Sequence, residues 1–216
     1  MELMPGPLDT AYEYIKTRIL DGTFRPSQKI TEQQLSEEIG VSRNTVIKAL
    51  LKLEQENLVT IEKNKGASVK SFTKQEVLNY IEIREMLEGL AIRSAVHNLS
   101  EEALERLGVL VKEMGECIRN GKLDGYSQLN REFHDIIYAA SKNQQAVEMI
   151  KMIKTQLNRF HFKTILVPGR NQESFSEHEQ ICEALRRRSE EEAEAAIRRH
   201  VANLRKTIEQ NYEYLI

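Results

Sequence analysis

A change of hydrophobic period constrains this chain more than any other feature. Up to Asn57 apolar residues recur every three or four positions, Leu58-Val59-Thr60-Ile61 and Ala67-Ser68-Val69 read with a period of two, and from Thr73 onward no further strand pattern returns. Periods of 3.6 and 2 separate helix from half-buried strand. The order is therefore three short helices, one hairpin and a long helical remainder. A mainly α fold is predicted, with an N-terminal winged helix-turn-helix and a C-terminal antiparallel all-helical bundle.

Local signals place the first elements. Thr10 with Glu13 reads as a capping box opening a helix through Ala11, Ile15, Ile19 and Leu20 that stops at Gly22. Thr31 with Gln34 repeats the device for a helix through Leu35 and Ile39 ending at Gly40. Ser42 can cap the next helix, along which Val46, Ala49, Leu50 and Leu53 recur at helical spacing. Helix, glycine turn and helix at this separation is a helix-turn-helix signature. The following strands meet at Asn64-Lys65-Gly66, where Gly66 can take a positive φ, and such a hairpin behind the second helix is a wing.

Six helices are expected beyond residue 72: Thr73 to about His97, Ser100 to about Gly121, one opened by Asp124, one from about Asn143 to Leu166, and two over about 171–188 and 190–214. Pro168-Gly169 breaks the chain before the fifth, and Ser189 with Glu192 caps the sixth. Short loops make such helices antiparallel neighbours. The domains expected are residues 1–72 and 73–216, and a chain of 216 residues is long enough for two cores.

Bulk properties exclude several classes. No apolar run approaches the roughly 18 residues of a membrane span, and MELMPGPLDT lacks the basic start and apolar run of a signal peptide. A cytoplasmic location is expected, in which Cys117 and Cys182 act as small apolar groups rather than a disulfide. The net charge of -2 supplies no overall pull toward nucleic acid. Residues 39–53, however, hold Arg43, Lys48 and Lys52 and no acidic side chain. Any DNA-binding surface is thus a local patch.

The second helix of a helix-turn-helix enters the major groove with its N-terminal residues toward base edges. Here these are Ser42, Arg43, Asn44 and Thr45. Arg43 offers the donor fork that suits guanine, Asn44 can pair with adenine, and Ser42, Thr45 and Lys48 suit phosphate oxygens. In the wing, Lys63 and Lys65 flank Gly66, whose missing side chain permits close approach to the minor groove.

The helical half contributes a second pattern. Asn130 and His134 are four residues apart and share a helix face, while His178 and His200 sit on the last two expected helices, which antiparallel packing can bring together. Three imidazoles and an amide oxygen would suit a divalent metal, Zn or Ni, with open positions for another ligand. Satisfied core histidines are the alternative. His97, at a helix end, and His161, beside Phe160 and Phe162, fit that plainer role.

Ile19-Leu20-Asp21-Gly22, Leu35-Ser36-Glu37-Glu38-Ile39-Gly40-Val41-Ser42-Arg43, Val46, Ala49-Leu50, Leu53-Glu54 and Gly66-Ala67-Ser68-Val69 together resemble the DNA-binding domain of the GntR family. Two positions depart from that pattern: Ile47 and Gln33 stand where family members commonly place operator-contacting arginines, while Arg43 is retained. Residues 73–214 resemble the FCD domain of the FadR-like branch, whose metal-binding members use an Asp-x-x-x-His pair and single histidines on the last two helices. Asn130-Arg131-Glu132-Phe133-His134 is similar, with Asn for Asp, and His178 and His200 fall where that pattern implies.

The resemblance implies a ligand-responsive regulator, a repressor by preference, rather than an enzyme. It would bind double-stranded operator DNA as a homodimer and sense a small carboxylate effector. Arg84 matches an arginine that holds such a carboxylate in the family, although an ion pair with Glu88 explains it equally; Arg159 is a second candidate on helical position alone. Leu78, Ile81, Leu87, Leu107 and Leu110 can form either the dimer face or core. Two competing functions remain at this level: a metal-dependent hydrolase using metal-bound water, which leaves the wing idle, and a DNA-binding protein without a ligand.

Overall fold

The computed structural model describes residues 6–62, 66–158 and 164–215. The chain forms two compact units, one ending at Thr73 and the other starting at Lys74. Among the described residues no helix is long and apolar enough to cross a membrane.

The first unit comprises α1 (Pro7–Leu20), β1 (Lys29–Ile30), α2 (Glu32–Ile39), α3 (Arg43–Gln55), β2 (Val59–Glu62) and β3 (Gly66–Val69). Helix α1 begins earlier than the Thr10–Glu13 pattern predicts. Pro7 stands in its first turn, where its missing N–H is no loss, Gly6 occupies the cap, and the Thr10 hydroxyl instead donates to the Gly6 carbonyl. The other two caps are as expected: Thr31 accepts from the Gln34 N–H, and Gly40 closes α2 in the left-handed conformation at φ 75°.

Strand β1 is an addition to the expected hairpin. The antiparallel sheet runs β1-β3-β2, with Ile30 opposite Ala67 and Ile61 on the other side of the same residue. Two residues carry no readable alternation, so β1 exists only through its pairing with β3. Gly66 opens β3 at φ 86°, a conformation that favours glycine. Ala11, Ile15, Leu35, Val46, Leu50 and Leu53 pack with Ile30, Val59, Ala67 and Val69 into one core.

The second unit comprises α4 (Lys74–Ala95), α5 (Glu101–Arg119), α6 (Leu123–Ala140), α7 (Gln144–Gln156), α8 (Arg170–Arg186) and α9 (Glu190–Leu215). Helix α4 packs along α9 and against α7, and α5 packs against α6 and α8. Ser100 caps α5 by accepting from Ala103, and the Ser189 hydroxyl accepts from Glu192. Asp124 is not a cap: α6 starts at Leu123, and Asp124 lies inside its first turn. The helix expected over 143–166 ends at Gln156, and residues 159–163 of that span, with His161, lie outside the described residues.

Leu107, Leu110, Met114, Phe133, Ile181, Leu185 and Ile197 fill the centre of this unit. Leu78, Ile81, Leu107 and Leu110, expected as dimer face or core, are buried, and Leu87 is half-buried. Both cysteines are free thiols, Cys182 buried and Cys117 half-buried.

Candidate functional site

In the first unit, the sequence around Ser42 builds a presented helix end. The Ser42 hydroxyl accepts from the Thr45 N–H at 3.2 Å and shares a 2.8 Å hydrogen bond with the Thr45 hydroxyl. Both oxygens therefore serve the cap as well as facing solvent. Val46, Ala49, Leu50 and Leu53 fill the inner face of α3, which turns Arg43, Asn44, Ile47 and Lys48 outward. No acidic residue lies in the first turn of α3, so its amide ends and Arg43 together present positive potential. Lys63 and Lys65 lie outside the described residues.

Ile47 and Leu51, one helical turn apart, are 39% and 47% exposed. An apolar pair on the outward face of a basic helix is unusual, because it leaves methyl groups in water where arginine or lysine would be solvated. Ile47 is one of the two positions, with Gln33, at which the sequence departs from the arginines of the family pattern.

In the second unit, three helices converge on one point. His134 from α6, His178 from α8 and His200 from α9 are all buried, and one ring nitrogen from each lies within 4.8 Å of the others. Their ring centroids are 5.4 Å (His134–His178), 4.7 Å (His178–His200) and 5.5 Å (His134–His200) apart. Phe133 meets the His178 ring edge-on at 4.9 Å and closes the cluster on one side. Asn130, also buried, lines a small cavity together with His200, Tyr126, Thr164, Arg170 and Ser174.

Hydrogen bonds select which nitrogens face inward. The Nδ1 of His200 lies 2.7 Å from Glu177 Oε2; an ionised carboxylate only accepts, so Nδ1 carries the proton and Nε2 keeps its lone pair. The Nδ1 of His178 is 2.5 Å from the Ser174 carbonyl, and the same reasoning leaves its Nε2 as an acceptor. That Nε2 and the Nδ1 of His134 are buried without a hydrogen-bond partner among the described residues. Buried polar atoms are nearly always satisfied, and two unpartnered ring nitrogens beside a third imidazole fit a cation of the Zn class.

Electrostatics agree with ligation. Burial holds all three imidazoles below the usual histidine range, His178 down to about 3, so they are neutral at pH 7 as metal binding requires. Glu177 is pushed up by burial but pulled down further by the His200 hydrogen bond and by Arg170, to about 2. Arg170 grips Glu177 through both terminal nitrogens at 3.2 and 2.8 Å, and Asn203 donates to it at 2.8 Å. A carboxylate behind a ligating histidine fixes its tautomer and raises its basicity. Sequence reading missed Glu177; it adjoins His178, but only packing of α8 on α9 sets it behind His200.

Arg84 is buried and pairs with Glu88 through Nε at 2.9 Å, and the Tyr138 hydroxyl donates to the same carboxylate at 2.7 Å. Arg84 also lines a separate cavity with Arg131 and Lys154. Ion pair and cavity wall are thus compatible roles for one side chain. Arg159 lies outside the described residues.

A capped, outward-facing helix in a winged unit, together with a helical unit holding a buried polar pocket, defines the class of DNA-binding regulators that carry an effector domain. Comparison with known proteins specifies the family. Residues 7–69 match the model of the bacterial regulatory proteins of the gntR family, and residues 79–203 match the FCD domain. The chain belongs to the GntR family of transcriptional regulators, in its FCD-bearing branch, and that family consists of regulators rather than enzymes.

An uncharacterized HTH-type transcriptional regulator of Bacillus subtilis, YdhC, is 28% identical over 190 residues, covering 88% of this chain and 85% of that protein. The HTH-type transcriptional repressor RspR of Escherichia coli is 23% identical over 199 residues, 92% of this chain and 87% of that protein. The solved structure of E. coli McbR/YncC has the same fold, with a TM-score of 0.72 at 23% identity over 98% of both chains. The hydrolase considered on sequence alone is set aside by this membership, and with it the idle wing that hydrolysis could not explain.

Proposed function

We propose that this regulator is a homodimeric repressor whose helical unit binds a divalent metal, Zn or Ni, and senses a small carboxylate. DNA reading is carried by residues 1–72 through Ser42, Arg43, Asn44, Thr45 and Lys48, with the wing residues Lys63, Lys65 and Gly66 at the minor groove. Effector binding is carried by residues 73–216. The observation that carries the metal reading is the convergence of three buried, neutral imidazoles, two of which leave a ring nitrogen without a hydrogen-bond partner among the described residues.

His134, His178 and His200 would hold the ion, with the Asn130 carbonyl oxygen as a neutral fourth donor. When bound, the ion supplies a Lewis-acidic point that attracts an anionic oxygen. Glu177 keeps the His200 ring in place, and Arg170 prevents that carboxylate from turning to the metal itself. Three neutral imidazoles and a neutral amide leave the charge of the ion uncompensated, which favours an anionic effector. Arg84, paired with Glu88 and lining a separate cavity, is the candidate for a further contact to the carboxylate, with Arg159 the second.

The dimer is supported by an exposed stripe on α4. Ile83, Met86 and Leu90 are 52%, 55% and 47% exposed and lie on one helix face, replacing the buried leucines considered from sequence. Pairing of two winged units over a two-fold site lengthens the sequence that is read. Effector binding shifts the balance between bundle arrangements and thereby operator affinity, by no more than its differential affinity for them.

The test is operator binding by full-length protein, using a duplex selected from random sequence, with and without zinc and small carboxylates. An acid-dependent change in operator affinity that needs zinc supports the reading. Operator affinity indifferent to both contradicts it.

A further inference from the structure

The outward face of α3 carries more than the polar groups assigned to DNA reading. Arg43, Ile47 and Leu51 are spaced four apart and form one strip along the helix, with Asn44 and Lys48 in the strip beside it. Ile47 and Leu51 are exposed, and among the described residues of the first unit Leu8 alone joins them as a large apolar side chain in water. Val46, Ala49, Leu50 and Leu53 fill the inner face of α3, so the core of the unit is complete without this pair. The apolar strip is continuous with Arg43, at the helix end that meets the major groove, and its occupant is therefore the same DNA.

The apolar group that base pairs present in the major groove is the C5-methyl of thymine. Resting on the proposed reading of DNA by α3, we infer that Ile47 reads a thymine methyl and sets a base preference that Arg43 and Asn44 do not. Four residues of helix advance about 6 Å, and stacked bases are about 3.4 Å apart. The thymine thus lies within about two base pairs of the base that Arg43 contacts. Branching at Cβ keeps Ile47 stiff at χ1, so little side-chain freedom is lost when its methyl groups are placed. Contact takes apolar surface of both partners out of water. Cytosine in the same place turns an amino group toward the isoleucine, which offers it no acceptor. Leu51 continues the strip by one turn and walls the contact off from water.

The test uses full-length protein and the duplex it selects from random sequence, with deoxyuridine exchanged for thymidine one position at a time. Uracil keeps the base pair and removes only the methyl group. At one thymine near the Arg43 contact the exchange is expected to weaken binding about 4-fold per half-site, the worth of roughly one buried carbon group. Ile47→Ala, which keeps a good helix former at an exposed position, is expected to bind the thymine duplex about 4-fold or more weakly and to lose nothing further with uracil. Ile47→Arg is expected to lose the methyl dependence as well, and to steepen the salt dependence of binding by about one unit of slope. Uracil tolerated at every thymine by the parent, or an equal uracil loss in Ile47→Ala, would overturn the inference while leaving Arg43 as a reader. Indifference to uracil together with a changed oligomeric state in Ile47→Ala would overturn it too, and would assign the strip to a protein contact. Failure to enrich any duplex would overturn the reading of DNA by α3 along with it.

Discussion

The two units spend their polar residues in opposite ways. In the winged unit the chemistry stands outside a closed apolar core: Arg43, Asn44 and Lys48 are exposed and lie within six consecutive positions. In the helical unit the chemistry is inside, and His134, His178, His200, Glu177 and Arg170 are buried on three different helices. A surface that must meet DNA needs only a rigid helix behind it. A pocket that must hold an ion needs the core itself to fix each donor. Changes at the exposed residues proposed to read DNA should therefore largely leave the first unit folded, whereas changes at the buried imidazoles should alter stability and function together.

Substitutions can break or sharpen this contrast. Phe133→Ala, which empties a fully buried ring site against His178, is expected to cost the helical unit about 3–5 kcal/mol, read as a lower unfolding midpoint with loss of metal retention. An unshifted midpoint would mean the site does not depend on its core. Arg43→Ala is expected to weaken specific operator binding by about 1–3 kcal/mol without changing either unfolding transition, as a titration of selected duplex would measure. Undiminished affinity would remove α3 from the reading role.

Ser42→Ala has a mixed expectation. It removes the cap of α3 and should cost about 1 kcal/mol of stability in the winged unit, visible by chemical denaturation, with a smaller loss of operator affinity. The smallest effect concerns Glu56, which accepts from both Tyr12 and Lys16. Burial raises its pKa, but the Lys16 hydrogen bond lowers it further, to a net value below the ordinary 4.5. A depressed carboxylate contributes stability above its unfolded pKa and loses it as pH falls through the folded one. The winged unit should thus lose a fraction of a kcal/mol as pH drops below about 4.5, because the pair is partly exposed. Glu56→Gln should flatten that slope in a urea series.

The contrast also explains what could be read from the sequence. Ser42, Arg43 and the helix they open were legible because a cap, a turn and a basic patch are local. The reading of Thr10 and Glu13 failed because Pro7 offers a better helix start, and strand β1 was invisible because pairing with β3 alone creates it. For the histidines, spacing placed Asn130 and His134 on one face and antiparallel packing offered His178 and His200 as partners, but satisfied core histidines explained them too, and the family resemblance favoured the metal reading. Glu177 and Arg170 left no signal, since their meaning depends on α8 lying against α9. Arg84 shows a limit of a different kind: an i,i+4 partner at Glu88 was evident, while its second role as a cavity wall depends on α7 and α9.

The central claim is that the buried imidazoles hold a metal ion. Its most direct test is the metal content of full-length protein after loading with zinc and exhaustive dialysis, compared with His178→Ala. The account predicts one equivalent per chain in the parent and a loss of at least about 10-fold in affinity in the variant. Equal retention by both proteins, or no bound metal in the parent, would contradict it.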